Sequence, residues 1–71
     1  MRLSLRRTGF RAGDVVTLKS GSPLMTVTWA GPVVFAPGTW TICQWFDDTG
    51  ELRQEMFCET MLERVPGALA A

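Results

Sequence analysis

Apolar and polar residues alternate with a period of two through most of this chain, which predicts strands rather than helices. Asp14 to Lys19 is short and β-branched, with Val16 and Leu18 on one face. Ser20-Gly21-Ser22-Pro23 reads as a turn. Leu24 to Trp29 then alternates, placing Met25, Val27 and Trp29 on one side and Thr26 and Thr28 on the other. So short a connection predicts an antiparallel pair. Thr39 to Phe46 is the strongest strand, and it is bulky on both faces: Trp40, Ile42 and Phe46 on one, Cys43 and Trp45 on the other. Such a strand is either central in a closed barrel with its outside covered, or part of an interface. Asp47 to Gly50 makes a hairpin turn. Glu51 to Phe57 returns from it, with Leu52, Gln54 and Met56 opposite Arg53, Glu55 and Phe57. Cys58 to Leu62 suits one helical turn with Leu62 inward, and Glu63 to Val65 a last short strand that Pro66 ends.

One stretch breaks the pattern. Gly31-Pro32 and Pro37-Gly38 bracket Val33-Val34-Phe35-Ala36. Two prolines argue against an interior strand, yet the middle is wholly apolar, unlike a solvent loop. The segment is expected to fold over the core or to meet another chain. Taken together, the spacing predicts an all-β fold: a small SH3-like five-stranded barrel over residues 10–65 with one short helical turn before the last strand. Residues 1–9 form a basic arm and residues 66–71 a loose tail.

Size and charge narrow the functions. A chain of 71 residues holds one domain of marginal stability, and small domains often gain stability by oligomerising. Seven basic residues balance seven acidic ones, so the chain as a whole is not a cationic nucleic-acid coat. The balance hides an asymmetry, because Arg2, Arg6, Arg7, Arg11 and Lys19 all precede residue 21. Histidine is absent, which removes the commonest general base and metal ligand. No metal site, cofactor or catalytic set is therefore expected, and the protein is read as no enzyme. Residues 1–7 lack the apolar stretch of a signal peptide, and no stretch reaches the length of a membrane span. Cys43 and Cys58 are accordingly expected to be reduced thiols of a cytoplasmic protein without a membrane partner.

Phe10-x-x-Gly13-Asp14-Val15-Val16-x-Leu18-Lys19-Ser20-Gly21-x-Pro23-x-Met25-Thr26-Val27, followed by Cys43-Gln44-Trp45-Phe46, Phe57 and Leu62, resembles the YodC-like small proteins of the DUF2158 family. The resemblance spans roughly residues 10–65. It departs from the family at the arginine-rich extension before Phe10 and at the apolar insertion from Val33 to Phe35. What it implies is a bacterial or phage setting, with no reaction and no catalytic residues.

Three functions remain open. In the leading one the protein is a non-enzymatic binding module that contacts itself or another protein through Val33, Val34, Phe35 and Trp40. The alternative is a nucleic-acid-binding barrel using Arg2, Arg6, Arg7, Arg11, Lys19 and a surface Trp29 for phosphate contact and base stacking. A third is a phage-type sponge or inhibitor holding a small ligand between aromatic and basic walls. Asp14 is read as capping the turn into the first strand, and Asp47-Asp48 with Glu51 as a solvated turn.

Overall fold

The β-branched run Val15–Leu18 forms strand β1 of the computed structural model, which describes residues 9–65. β2 spans Met25–Val33, β3 Ala36–Phe46, β4 Leu52–Cys58 and β5 Leu62–Arg64, with one 3-10 turn at Glu59–Met61. All five strands lie in one antiparallel sheet in the order β4-β3-β2-β1-β5. The fold is all-β, as the alternation predicts. Among the described residues the ladder is open rather than closed, with β4 and β5 as its two edges. The arm from residue 1 to 8 and the tail from residue 66 lie outside the described residues.

The core is small. Val16, Met25, Val27, Cys43 and Leu62 are buried, with Phe10, Leu18, Ala30, Trp45 and Phe57 packed against them. Leu62 points inward, as expected for the residue after the helical turn, and pairs with Leu18. Thr41 is the buried polar side chain among them, and its hydroxyl donates to the Phe57 carbonyl at 3.0 Å. The Asp14 carboxylate accepts the Arg11 amide at 3.1 Å and Arg64 Nη2 at 3.0 Å. Asp14 thus caps the turn and also ties β1 to β5, while the Arg64 guanidinium lies 4.8 Å from the centre of the Phe10 ring.

Two expectations need correction. The prolines do not break the sheet between Ala30 and Gly38: β2 and β3 run on as a long hairpin whose tip is Val34-Phe35. Pro32 pairs with Thr39 beyond the reach of β1, which meets β2 only at Met25 and Thr26. A missing N–H is tolerated along such a free edge. Pro37 falls in a register shift where it needs no ladder bond. The second correction is Trp29. Val27 faces Cys43, but Trp29 faces Ile42, so a bulge at Thr28 reverses the alternation. Trp29 therefore leaves the side of Met25 and Val27 and stands on the opposite face.

Candidate interaction surface

That reversal adds Trp29 to an apolar face on the side of the sheet away from the core. Partners across an antiparallel ladder share a face, so Trp29, Ile42 and Met56 form one row and Phe46 and Leu52 another. Thr26, Gln44 and Gln54 lie between the rows, with Gln44 Nε2 donating to Gln54 Oε1 at 2.9 Å. A depression of about 270 Å³ opens beside them, lined by Leu24, Thr26, Gln44, Trp45, Phe46 and Leu52. Trp29 lies flat along its own strand because Gly31 leaves room: a Cβ there would come within 2.9 Å of its ring.

Phe46 is 68% exposed, Leu24 60%, Leu52 56%, Trp29 41% and Met56 37%. At about 200 Å² per large side chain, these five leave on the order of 500 Å² of apolar surface. That is near the top of the range for the largest patch on a monomer.

The expected contact residues lie at one end of this face. Val34 and Phe35 form the exposed hairpin tip, Val34 wholly in solvent and Phe35 partly covered, and Val33 is half-buried. Trp40 is half-buried rather than open: its indole Nε1 donates to the Pro37 carbonyl at 3.1 Å, and its ring centre is 6.2 Å from that of Phe35. Phe35 and Trp40 thus join the tip to the face. Sequence reasoning placed Ile42 and Phe46 with Trp40 on one face of a strand open to an interface, but missed Leu24, Leu52 and Met56 as parts of the same surface. The bulge that gathers Trp29 into it has no signal in the alternation.

The alternative residues do not converge. Arg2, Arg6 and Arg7 lie outside the described residues. Arg11 is exposed at the turn capped by Asp14, and Lys19 is exposed beyond the start of β2. By strand rise Lys19 is roughly 20 Å from Trp29 along the sheet. The described residues carry four basic and seven acidic side chains, a net of −3. Among them no cluster of carboxylates and cysteines could hold a metal ion, and no helix is long and apolar enough to cross a membrane.

Asp47 is more than a solvated turn residue. Its Oδ1 accepts the Thr49 amide and hydroxyl and the Glu51 amide, and its Oδ2 accepts Arg53 Nε at 2.8 Å. The Thr49 hydroxyl above all, then the Glu51 amide and Arg53, hold its carboxyl well below the usual carboxylate range. A folded-state value below the unfolded one means that its stabilisation is complete above pH of about 4 and is lost as pH falls below that. The urea midpoint is therefore expected to drop on acidification, and to drop less in Asp47→Asn, which cannot titrate. An equally steep fall in the variant would place the acid sensitivity elsewhere.

The thiols differ in kind. Cys43 is buried on the core side, and burial pushes its thiol up. Cys58 pairs with Trp40 on the other face, where the Thr60 hydroxyl at 3.4 Å pulls its thiol down. A neighbouring hydroxyl rather than a cation supplies that shift. Standing on opposite faces, the two sulfurs are not placed to join.

A sequence model of the family described as "Uncharacterized small protein (DUF2158)" matches residues 11–62, and the chain belongs to that family. No curated protein and no solved structure matches.

Proposed function

We propose that this DUF2158 member is a non-enzymatic binding module of a bacterial or phage cytoplasm, acting through protein–protein contact and above all by self-assembly. The observation that carries the reading is the pair of apolar rows on one face, Trp29, Ile42 and Met56 on one side of Thr26, Gln44 and Gln54 and Phe46 and Leu52 on the other, continued through Trp40 to Phe35. With the hairpin tip included, the exposed apolar area reaches roughly 800 Å², about what one partner contributes to a standard interface. The strand order and the 3-10 turn before β5 support an SH3-like barrel as the scaffold. Nucleic acid is less well supported, because the described residues are net acidic and Arg64 is already paired with Asp14. Among the described residues a nucleotide-like ligand finds no cation in the lining of the depression.

Native mass spectrometry of the full chain, purified at low salt, tests the reading. A concentration-dependent oligomer without added mass is expected. A monomer at every concentration, or a species carrying nucleotide or oligonucleotide mass, would overturn it.

A further inference from the structure

The sheet has two edges of different character. β5 is three residues long, the short form in which edges are usually protected. β4 is seven residues long, pairs with β3 from Trp40↔Cys58 to Phe46↔Leu52 without a shift, and contains no proline. Its outer rim is thus a straight row of backbone donors and acceptors.

The hairpin turn sets which groups point outward. Asp47 N–H donates to the Glu51 carbonyl at 3.0 Å, so Glu51 faces β3. Gly50, at φ +86°, provides the extra residue of that turn. By the alternation of antiparallel ladders, Arg53, Glu55 and Phe57 also bond to β3. The N–H and C=O groups of Leu52, Gln54 and Met56 point to the open side.

The side chains of this rim are symmetric about Gln54. In Leu52-Arg53-Gln54-Glu55-Met56 an apolar residue stands at each end, with a cation on one side of the centre and an anion on the other. We propose that two copies of this chain join β4 to β4, antiparallel, about a two-fold axis through Gln54. The inference rests on the reading that the protein works by assembling, and it adds a contact at the sheet edge to the one on the apolar face.

In that register the outward groups of Gln54 meet the same groups of its mate as a hydrogen-bonded pair. Leu52 of each copy lies opposite Met56 of the other, on the apolar face. Arg53 of each copy lies opposite Glu55 of the other, on the core side of the sheet, at the closer, non-hydrogen-bonded spacing of about 4.5 Å between Cα atoms. Two ion pairs form for one axis. Arg53 spends only Nε on Asp47, so the terminal nitrogens of its guanidinium remain to meet a carboxylate. Among the described residues Glu55 makes no ion pair of its own. A slip of one residue in register would set Leu52 opposite Glu55 and lose both ion pairs. Pairing in this way joins two five-stranded sheets and makes one surface of the two apolar faces.

The test is a charge exchange read by sedimentation equilibrium on the full chain. Arg53→Glu and Glu55→Arg each create two like-charge contacts across the axis, and each is expected to weaken the dimer at least about 30-fold. The double variant R53E/E55R restores both pairs with reversed polarity and is expected to return within about 3-fold of the parent. Single variants that dimerise like the parent overturn the proposal, as does a folded double variant that stays monomeric. Amide hydrogen exchange on the unaltered protein gives an independent reading. The Gln54 amide should exchange slowly where the dimer is populated and quickly on dilution, whereas fast exchange in a populated dimer overturns the edge contact. A dimer indifferent to these charges but dispersed by Phe46→Asp would refute the edge and leave the apolar face as the contact. A protein monomeric throughout would refute both.

Discussion

Leu62→Ala should leave most of the protein unfolded at 25 °C. Leu62 is 3% exposed and sits in a strand of only three residues, where it closes the core against Leu18 and Val16. Truncating a buried leucine costs about 2–5 kcal/mol, more when the site cannot collapse around the cavity. A single core of this size supplies only about 3–5 kcal/mol in all. The core has five buried apolar side chains, and Leu62 alone comes from β5, so no other group of that strand can fill the gap. Far-UV circular dichroism and urea titration check the outcome. Leu62→Met, nearly equal in volume, should cost less than about 1.5 kcal/mol and stay folded. A Leu62→Ala variant that unfolds cooperatively at the parent midpoint would mean that β5 contributes little to the core.

Strand identity was legible from sequence because alternation and turn residues agree along most of the chain. Val16 and Leu18, Met25 and Val27, and Cys43 and Trp45 all fall on the core side as their spacing requires. Leu62 was legible for the same reason, as an isolated leucine after a single helical turn. What escaped were the positions where backbone geometry departs from the ideal pleat. A bulge at Thr28 adds one residue without any glycine or proline to mark it, and it carries Trp29 to the other face. Pro32 and Pro37 read as breaks, yet one stands along a free edge and the other in a register shift, where neither is asked for a ladder bond. Asp47 escaped because its partners Thr49, Glu51 and Arg53 are brought to it only by the turn it stabilises. Only Trp29 reaches the candidate surface through the bulge, so the sequence could supply the tip residues Val34 and Phe35 and the β3 face of Trp40, Ile42 and Phe46 but not its extension to Trp29.

Phe46→Asp should have the opposite consequence to Leu62→Ala: the fold and the β4-edge dimer remain, and assembly through the apolar face is lost. Phe46 ends β3, pairs with Leu52 and leaves 68% of its surface in solvent, so its removal opens no cavity. A substitution at so exposed a site changes monomer stability by about 0.5 kcal/mol or little more. In a closed interface the same ring would be buried against a partner, and a carboxylate there would be desolvated without a counterion. Aromatic anchors at the centre of such patches are worth about 2 kcal/mol or more, a weakening of at least roughly 30-fold. Sedimentation and thermal unfolding, run on the same preparation, separate the two effects. Phe35→Asp, at the hairpin tip, divides the surface further. Loss of assembly in both variants would mean that tip and face act together. Loss only in Phe35→Asp would confine the contact to the tip, where Phe35 rests on Trp40. Loss only in Phe46→Asp would leave the tip for another partner and assign self-assembly to the face that the Thr28 bulge extends to Trp29.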